Sequence, residues 1–162
     1  WVRAIGHARG LGAEVEGVWI GDGPMLDGAR GLAKELGLSD RLTMPGFVSD
    51  RAKVLETIRH GHVMPFAHLT PESPRCLLES LLSGTPIVGY DNAFARDLLE
   101  GHGGGSLVPT GDWQKLGEEL ARLAKDRGAL SKLVREAGAN GARFNDDAVF
   151  KERSELIKKY LP

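Results

Sequence analysis

Two glutamates, Glu72 and Glu79, bracket the start of a predicted helix in the run Thr70-Pro-Glu-Ser-Pro-Arg-Cys-Leu-Leu-Glu-Ser-Leu-Leu-Ser-Gly-Thr-Pro86. A short apolar run, His62-Val-Met-Pro-Phe-Ala67, precedes it, and another, Pro86-Ile-Val-Gly-Tyr90, follows. The order reads as strand, polar loop, helix, strand. The loop therefore falls outside the carboxyl end of a strand and beside a helix N-terminus, where open α/β sheets place ligands. Carboxylates there accept hydrogen bonds from hydroxyls, and free helix amides suit an anion. A ligand carrying sugar hydroxyls and phosphates would use both.

Within that helix Ser73 is the expected N-cap and Pro74 the expected first residue. Leu77, Leu78, Leu81 and Leu82 form the expected buried stripe. Arg75 and Glu79 stand four residues apart, so an ordinary intrahelical ion pair is one reading of them. Glu72 near the positive helix end has an equally plain electrostatic reading. Arg75, however, opposes the helix dipole from the first turn, and an anionic ligand would account for it. His68 lies in the same loop, within reach of a bound phosphate or sugar, though a structural histidine reads equally well. Cys76 occupies a first-turn position that favours a thiolate, yet no general base is identifiable nearby, so it is read as a small packing residue.

Other constellations carry less. Gly21-x-Gly23 lacks the third glycine of a dinucleotide fingerprint, since position 26 is Leu26. His60 and His62 are two residues apart at a strand start, a poor geometry for a joint metal site, and no metal or cofactor is expected. Gly103-Gly-Gly105 reads as a flexible turn, and the run Lys151–Lys159 as a solvated mixed-charge helix face.

Positioning the loop requires a regular frame. Helical patterns cover about 1–13, 25–36, 50–59, 74 onward, 93–99, 113–125, 128–142 and 146–160; strands cover 15–20, 41–44, 62–66, 86–90 and 106–109. Such alternation predicts an α/β, Rossmann-like parallel sheet with helices on both faces. In the usual strand order the first strand is central, but this chain opens on a helix. Strands 15–20 and 62–66 should then flank a gap, and either pair directly or leave edge groups unsatisfied. The expectation is a missing first strand and a fragment of a longer polypeptide; pairing of those two strands would count against it.

The 162 residues suit one domain, 1–162, without repeats or a linker. Twenty-one basic and 22 acidic residues are interspersed for a net charge of −1, so no nucleic-acid partner is expected. The lone Cys76 excludes an internal disulfide and fits a reducing compartment. No apolar run approaches the roughly 18 residues of a membrane span, and a cytoplasmic location is expected.

Five motifs occur in order: Gly21-Asp-Gly-Pro24, Pro45-Gly-Phe-Val48, Pro71-Glu-Ser-Pro-Arg-Cys-Leu-Leu-Glu-Ser80, Ser83-Gly-Thr-Pro-Ile-Val88 and Leu107-Val-Pro-Thr-Gly-Asp112. Together, over roughly residues 15–125, they resemble the C-terminal, donor-binding domain of retaining GT-B glycosyltransferases of the group 1 type. The resemblance implies one half of a GT-B fold that binds a nucleotide-diphosphate sugar, with UDP or GDP as the nucleotide. It implies hexose transfer with retention, in polysaccharide or glycoconjugate biosynthesis. Carried across, Glu72 contacts the donor hexose and is the catalytic candidate, and Glu79 accepts from the ribose hydroxyls. Ser73, Pro74, Arg75 and Cys76 lie along the diphosphate; Gly46, Phe47 and Val48 form the turn near the base; Gly21 and Gly23 border the same cleft.

Departures from the family pattern matter too. Six residues separate the two glutamates where the family places seven, and Pro74 removes one amide that a phosphate would use. Arg75 is expected to compensate. Asn92-Ala-Phe-Ala-Arg96 replaces the family's glycine-proline-glutamate run. The strand-loop-helix unit bearing the family's diphosphate-binding arginine and lysine is not in these residues. Nor is an N-terminal domain to hold an acceptor glycan or lipid, so the chain alone is expected to be inactive. Peripheral membrane association is an expectation for the full-length protein only. Two other readings stay open, a nucleotide-sugar epimerase on the same fold and a non-catalytic nucleotide-binding or interaction module.

Overall fold

The computed structural model describes residues 1–161. Its elements run α1 (Val2–Gly10), β1 (Gly17–Ile20), α2 (Leu26–Glu35), β2 (Leu42–Gly46), α3 (Arg51–His60), β3 (Met64–Phe66) and α4 (Arg75–Leu82). They continue as β4 (Ile87–Tyr90), α5 (Ala93–Leu99), β5 (Gly105–Val108), α6 (Trp113–Lys125), α7 (Arg127–Gly141) and α8 (Asp146–Tyr160), with a 3-10 turn at Ala142–Phe144. Polar side chains set several helix starts by accepting from leading amides: Asp50 from Ala52 and Lys53, Asn92 from Ala95, Asp112 from Lys115 and Asp126 from Ala129.

All strand pairings are parallel, but the strands form two sheets rather than the single sheet expected. β1 pairs with β2, and β3, β4 and β5 pair in that order. β1 and β3 do not pair. Both instead border a cleft of about 410 Å³, walled by Gly17, Val18, Val63 and Pro65 and floored by Leu120 and Leu123 of α6. Val18 consequently stays exposed although its strand is apolar. This is the unsatisfied-edge outcome of the two the sequence allowed.

β4 shows why the fold needs helices on both faces. All four of its residues are buried. Val88 and Tyr90 enter a core with Ala4, Ile5 and Ala8 of α1 and Leu116 and Leu120 of α6. Ile87 enters a second core with Leu77 and Leu81 of α4, Leu98 of α5 and Ala137 of α7. Alternation along one strand thus feeds two helical layers. α4 buries a narrower stripe than expected: Leu77 and Leu81 are fully covered, while Leu82 is half exposed. Ser80 is buried in its place, and its hydroxyl donates to the Thr85 carbonyl at 2.8 Å.

Asn140 is the polar tie of the second core. Its buried amide donates to the carbonyls of Leu98 at 2.7 Å and Gly103 at 2.9 Å, and its oxygen accepts from Arg143 at 3.2 Å. Asn140→Ala would leave two carbonyls without this donor, an expected loss of about 2–3 kcal/mol in urea unfolding. A loss under about 0.5 kcal/mol would show that water replaces the amide. At the far end of the chain, α8 leaves Phe150, Leu156 and Tyr160 exposed beside its charged residues. Among the described residues no helix is long and apolar enough to cross a membrane.

Candidate functional site

The carboxyl ends of β1, β2 and β3 carry the loops in which the site residues lie. Gly21 and Gly23 form the turn after β1, with Asp22 accepting from the Gly23 amide at 2.7 Å. The Gly21 amide donates to the Gly46 carbonyl at 3.0 Å, which ties this turn to the end of β2. Gly46 has φ of 86°, a left-handed conformation that a side chain disfavours, and it turns the chain outward. Phe47 then stands 75% exposed, and Val48 is partly covered. A flat exposed ring beside a sheet's carboxyl end is suited to stacking on another planar group.

After β3, His68 packs its ring 6.1 Å from Phe66, and its Nδ1 is buried without a hydrogen-bond partner. Glu72 is exposed in the loop that follows and accepts from the Thr70 hydroxyl. The helix start differs from expectation. Pro74, with φ of −71° and ψ of 116°, is itself the N-cap, and Ser73 makes no capping bond. Proline has no side-chain acceptor to offer, so the leading amides of α4 carry no side-chain cap and remain suited to an anion. Arg75 opens α4, exposed and without an ion pair among the described residues.

Cys76 is partly buried against the second core, and its thiol is pushed up from its ordinary value, first by burial and then by the charge of Glu79. It is a packing residue, as read from sequence. Glu79 does not pair with Arg75. It receives a two-pronged bond from Arg51 of α3, with Nη2 to Oε1 at 2.7 Å and Nη1 to Oε2 at 3.2 Å. Arg51 directly follows the capping Asp50, so this bond joins the Gly46–Val48 turn to α4.

These contacts bring Gly21, Gly23, Gly46, Phe47, Val48 and Glu79 into one linked edge. They do not bring Glu72 and Glu79 into a common cavity. A cleft of about 790 Å³ opens beside this edge, and of the candidate donor-site residues read from sequence it takes in only Gly23. Its walls are mostly apolar and aromatic, among them Trp1, Trp19, Leu69, Tyr90 and Trp113. The Tyr90 hydroxyl is pushed up by burial and then by the charge of Asp112. Sequence reading missed these aromatic walls, because tryptophans at apolar positions are indistinguishable from core. It also missed Arg51, although the criterion applied to Arg75, a cation at a helix start, fits Arg51 equally. Among the described residues no group of three or more His, Cys, Asp or Glu side chains is placed to hold a metal ion.

The family model described as Glycosyl transferases group 1 matches residues 3–143. "Exopolysaccharide phosphotransferase SCO2592" of Streptomyces coelicolor is 31% identical over 150 residues, which cover 88% of this chain and 15% of that protein. "2-deoxystreptamine N-acetyl-D-glucosaminyltransferase" of Streptomyces fradiae is 35% identical over 119 residues, covering 73% of this chain and 28% of that protein. The crystal structure of Anabaena Alr3699/HepE in complex with UDP shares the fold with a TM-score of 0.81 at 20% identity, over 97% of this chain and 44% of that one. The chain thus spans less than a third of those two relatives and under half of that structure.

Proposed function

Because this chain belongs to the glycosyl transferases group 1 family, we propose that it is the donor half of an enzyme that moves a hexose from a nucleotide-diphosphate sugar with retention of configuration. The match over residues 3–143 carries the reading. The linked edge at Gly21, Gly46 and Glu79 supports it, since it supplies a turn, an exposed ring and a carboxylate of the kind a nucleoside needs. Glu79 accepts from the ribose hydroxyls, and Phe47 and Val48 border the base. Helix amides and Arg75 stabilise the departing diphosphate as charge develops on it, while Glu72 orients the sugar. The UDP in the Anabaena complex favours a uridine donor over a guanosine one.

The acceptor, a glycan or a lipid-linked glycan, belongs to a further domain, and the whole enzyme works in the cytoplasm. Two unpaired parallel edges bordering one cleft support a further strand between β1 and β3. The 162-residue chain by itself should transfer no sugar; turnover by the purified chain would contradict the division of labour. Donor binding is tested by titrating the chain with UDP and with GDP and following thermal stabilisation.

A further inference from the structure

Glu79 and Arg51 differ in freedom. The glutamate side chain keeps 17% of its surface open, the arginine side chain 59%. The carboxylate is the fixed partner, and the guanidinium the one that can leave. Arg51 also stands at the first position of α3, where a cation opposes the helix dipole. The helix therefore gives no reason for it, and its contact with Glu79 does.

The form of that contact is informative. Both terminal nitrogens of one guanidinium donate to both oxygens of one carboxylate, so the fork occupies the carboxylate's outer edge. Two hydroxyls held cis on a five-membered ring present the same paired donors at similar spacing. They would seek the same edge, and the edge cannot serve both. No other group among the described residues donates to the Glu79 carboxylate.

We propose that Arg51 is a built-in competitor for a vicinal diol, holding the paired oxygens of Glu79 until the ribose of a nucleoside diphosphate displaces it. The residue then limits how tightly the nucleotide is held and speeds its release. This rests on the reading of Glu79 as the ribose acceptor.

The test compares UDP with 2′,3′-dideoxy-UDP, each titrated by ligand-observed NMR against the unaltered chain, Arg51→Met and Arg51→Lys. Methionine keeps the length of the stem and removes the fork; lysine keeps the charge without the fork. Arg51→Met should bind UDP about two- to five-fold more tightly, the range for an exposed ion pair given up on binding, with dideoxy-UDP unchanged. Arg51→Lys should fall between. Weaker UDP binding by Arg51→Met would overturn the proposal, because Arg51 would then be orienting Glu79 rather than competing for it. Unchanged UDP binding, or an equal shift for both nucleotides, would overturn it as well. If the unaltered chain binds neither nucleotide, or fails to prefer UDP over its dideoxy form, the ribose reading of Glu79 falls and takes the proposal with it. A preference for UDP that Arg51→Met does not enhance sinks the proposal alone.

Discussion

Glu72→Ala in the full-length enzyme should lower turnover by about a hundred-fold or more, the scale on which removal of one transition-state contact is felt. Glu72 is exposed and bonds to Thr70 in its own loop, so neither core depends on it. The variant should therefore fold normally, and the loss should appear in kcat rather than in melting temperature. Thr70→Val separates the glutamate's own role from its tether: the oxygen loses its hydroxyl partner while the charge remains. A modest fall is expected there. Near-normal turnover by Glu72→Ala would remove the residue from the active site.

Gly141→Val should destabilise the protein by about 3 kcal/mol or prevent folding, the upper range for overpacking at a site that cannot yield. A Cβ on Gly141 would overlap the carbonyl of Leu81, the point at which α7 crosses α4. The obstacle is backbone, and the same helix carries the Glu79 carboxylate, so the site and the packing share one support. Gly138, three residues earlier on α7, has nothing near its missing side chain. Gly138→Ala should be neutral or stabilise by up to about 1 kcal/mol, through helix propensity alone. Urea denaturation of both variants checks the contrast; equal behaviour would mean that the α4–α7 crossing is looser than described.

Much of this was legible before any coordinates. Hydrophobic period places α5 at 93–99 and α6 at 113–125, and in the structure Asn92 and Asp112 supply the caps. The fully apolar Ile87–Tyr90 run announces a strand covered on both faces. Divergence begins where a local rule meets a non-local contact. Ser73 has the chemistry of a cap, but the restricted backbone of Pro74 moves the boundary one residue on. Leu82 fits the helical stripe by spacing, yet α4 ends there and the next turn is lost. The Arg75–Glu79 pair was a reasonable inference from spacing alone, while the actual partner, Arg51, lies 28 residues away. No local pattern encodes that distance. The split of the sheet is one of the two outcomes that the pattern of strands 15–20 and 62–66 left open, and the structure shows those two strands in separate sheets.

The most direct measurement is an amide-resolved NMR titration of this chain with UDP, beside GDP. Shifts gathered at Gly21, Gly23, Gly46–Val48 and Arg75–Glu79 are the predicted result, larger for UDP than for GDP. A flat response to both nucleotides, or shifts confined to the cleft between β1 and β3, would contradict a nucleotide site at the carboxyl edge.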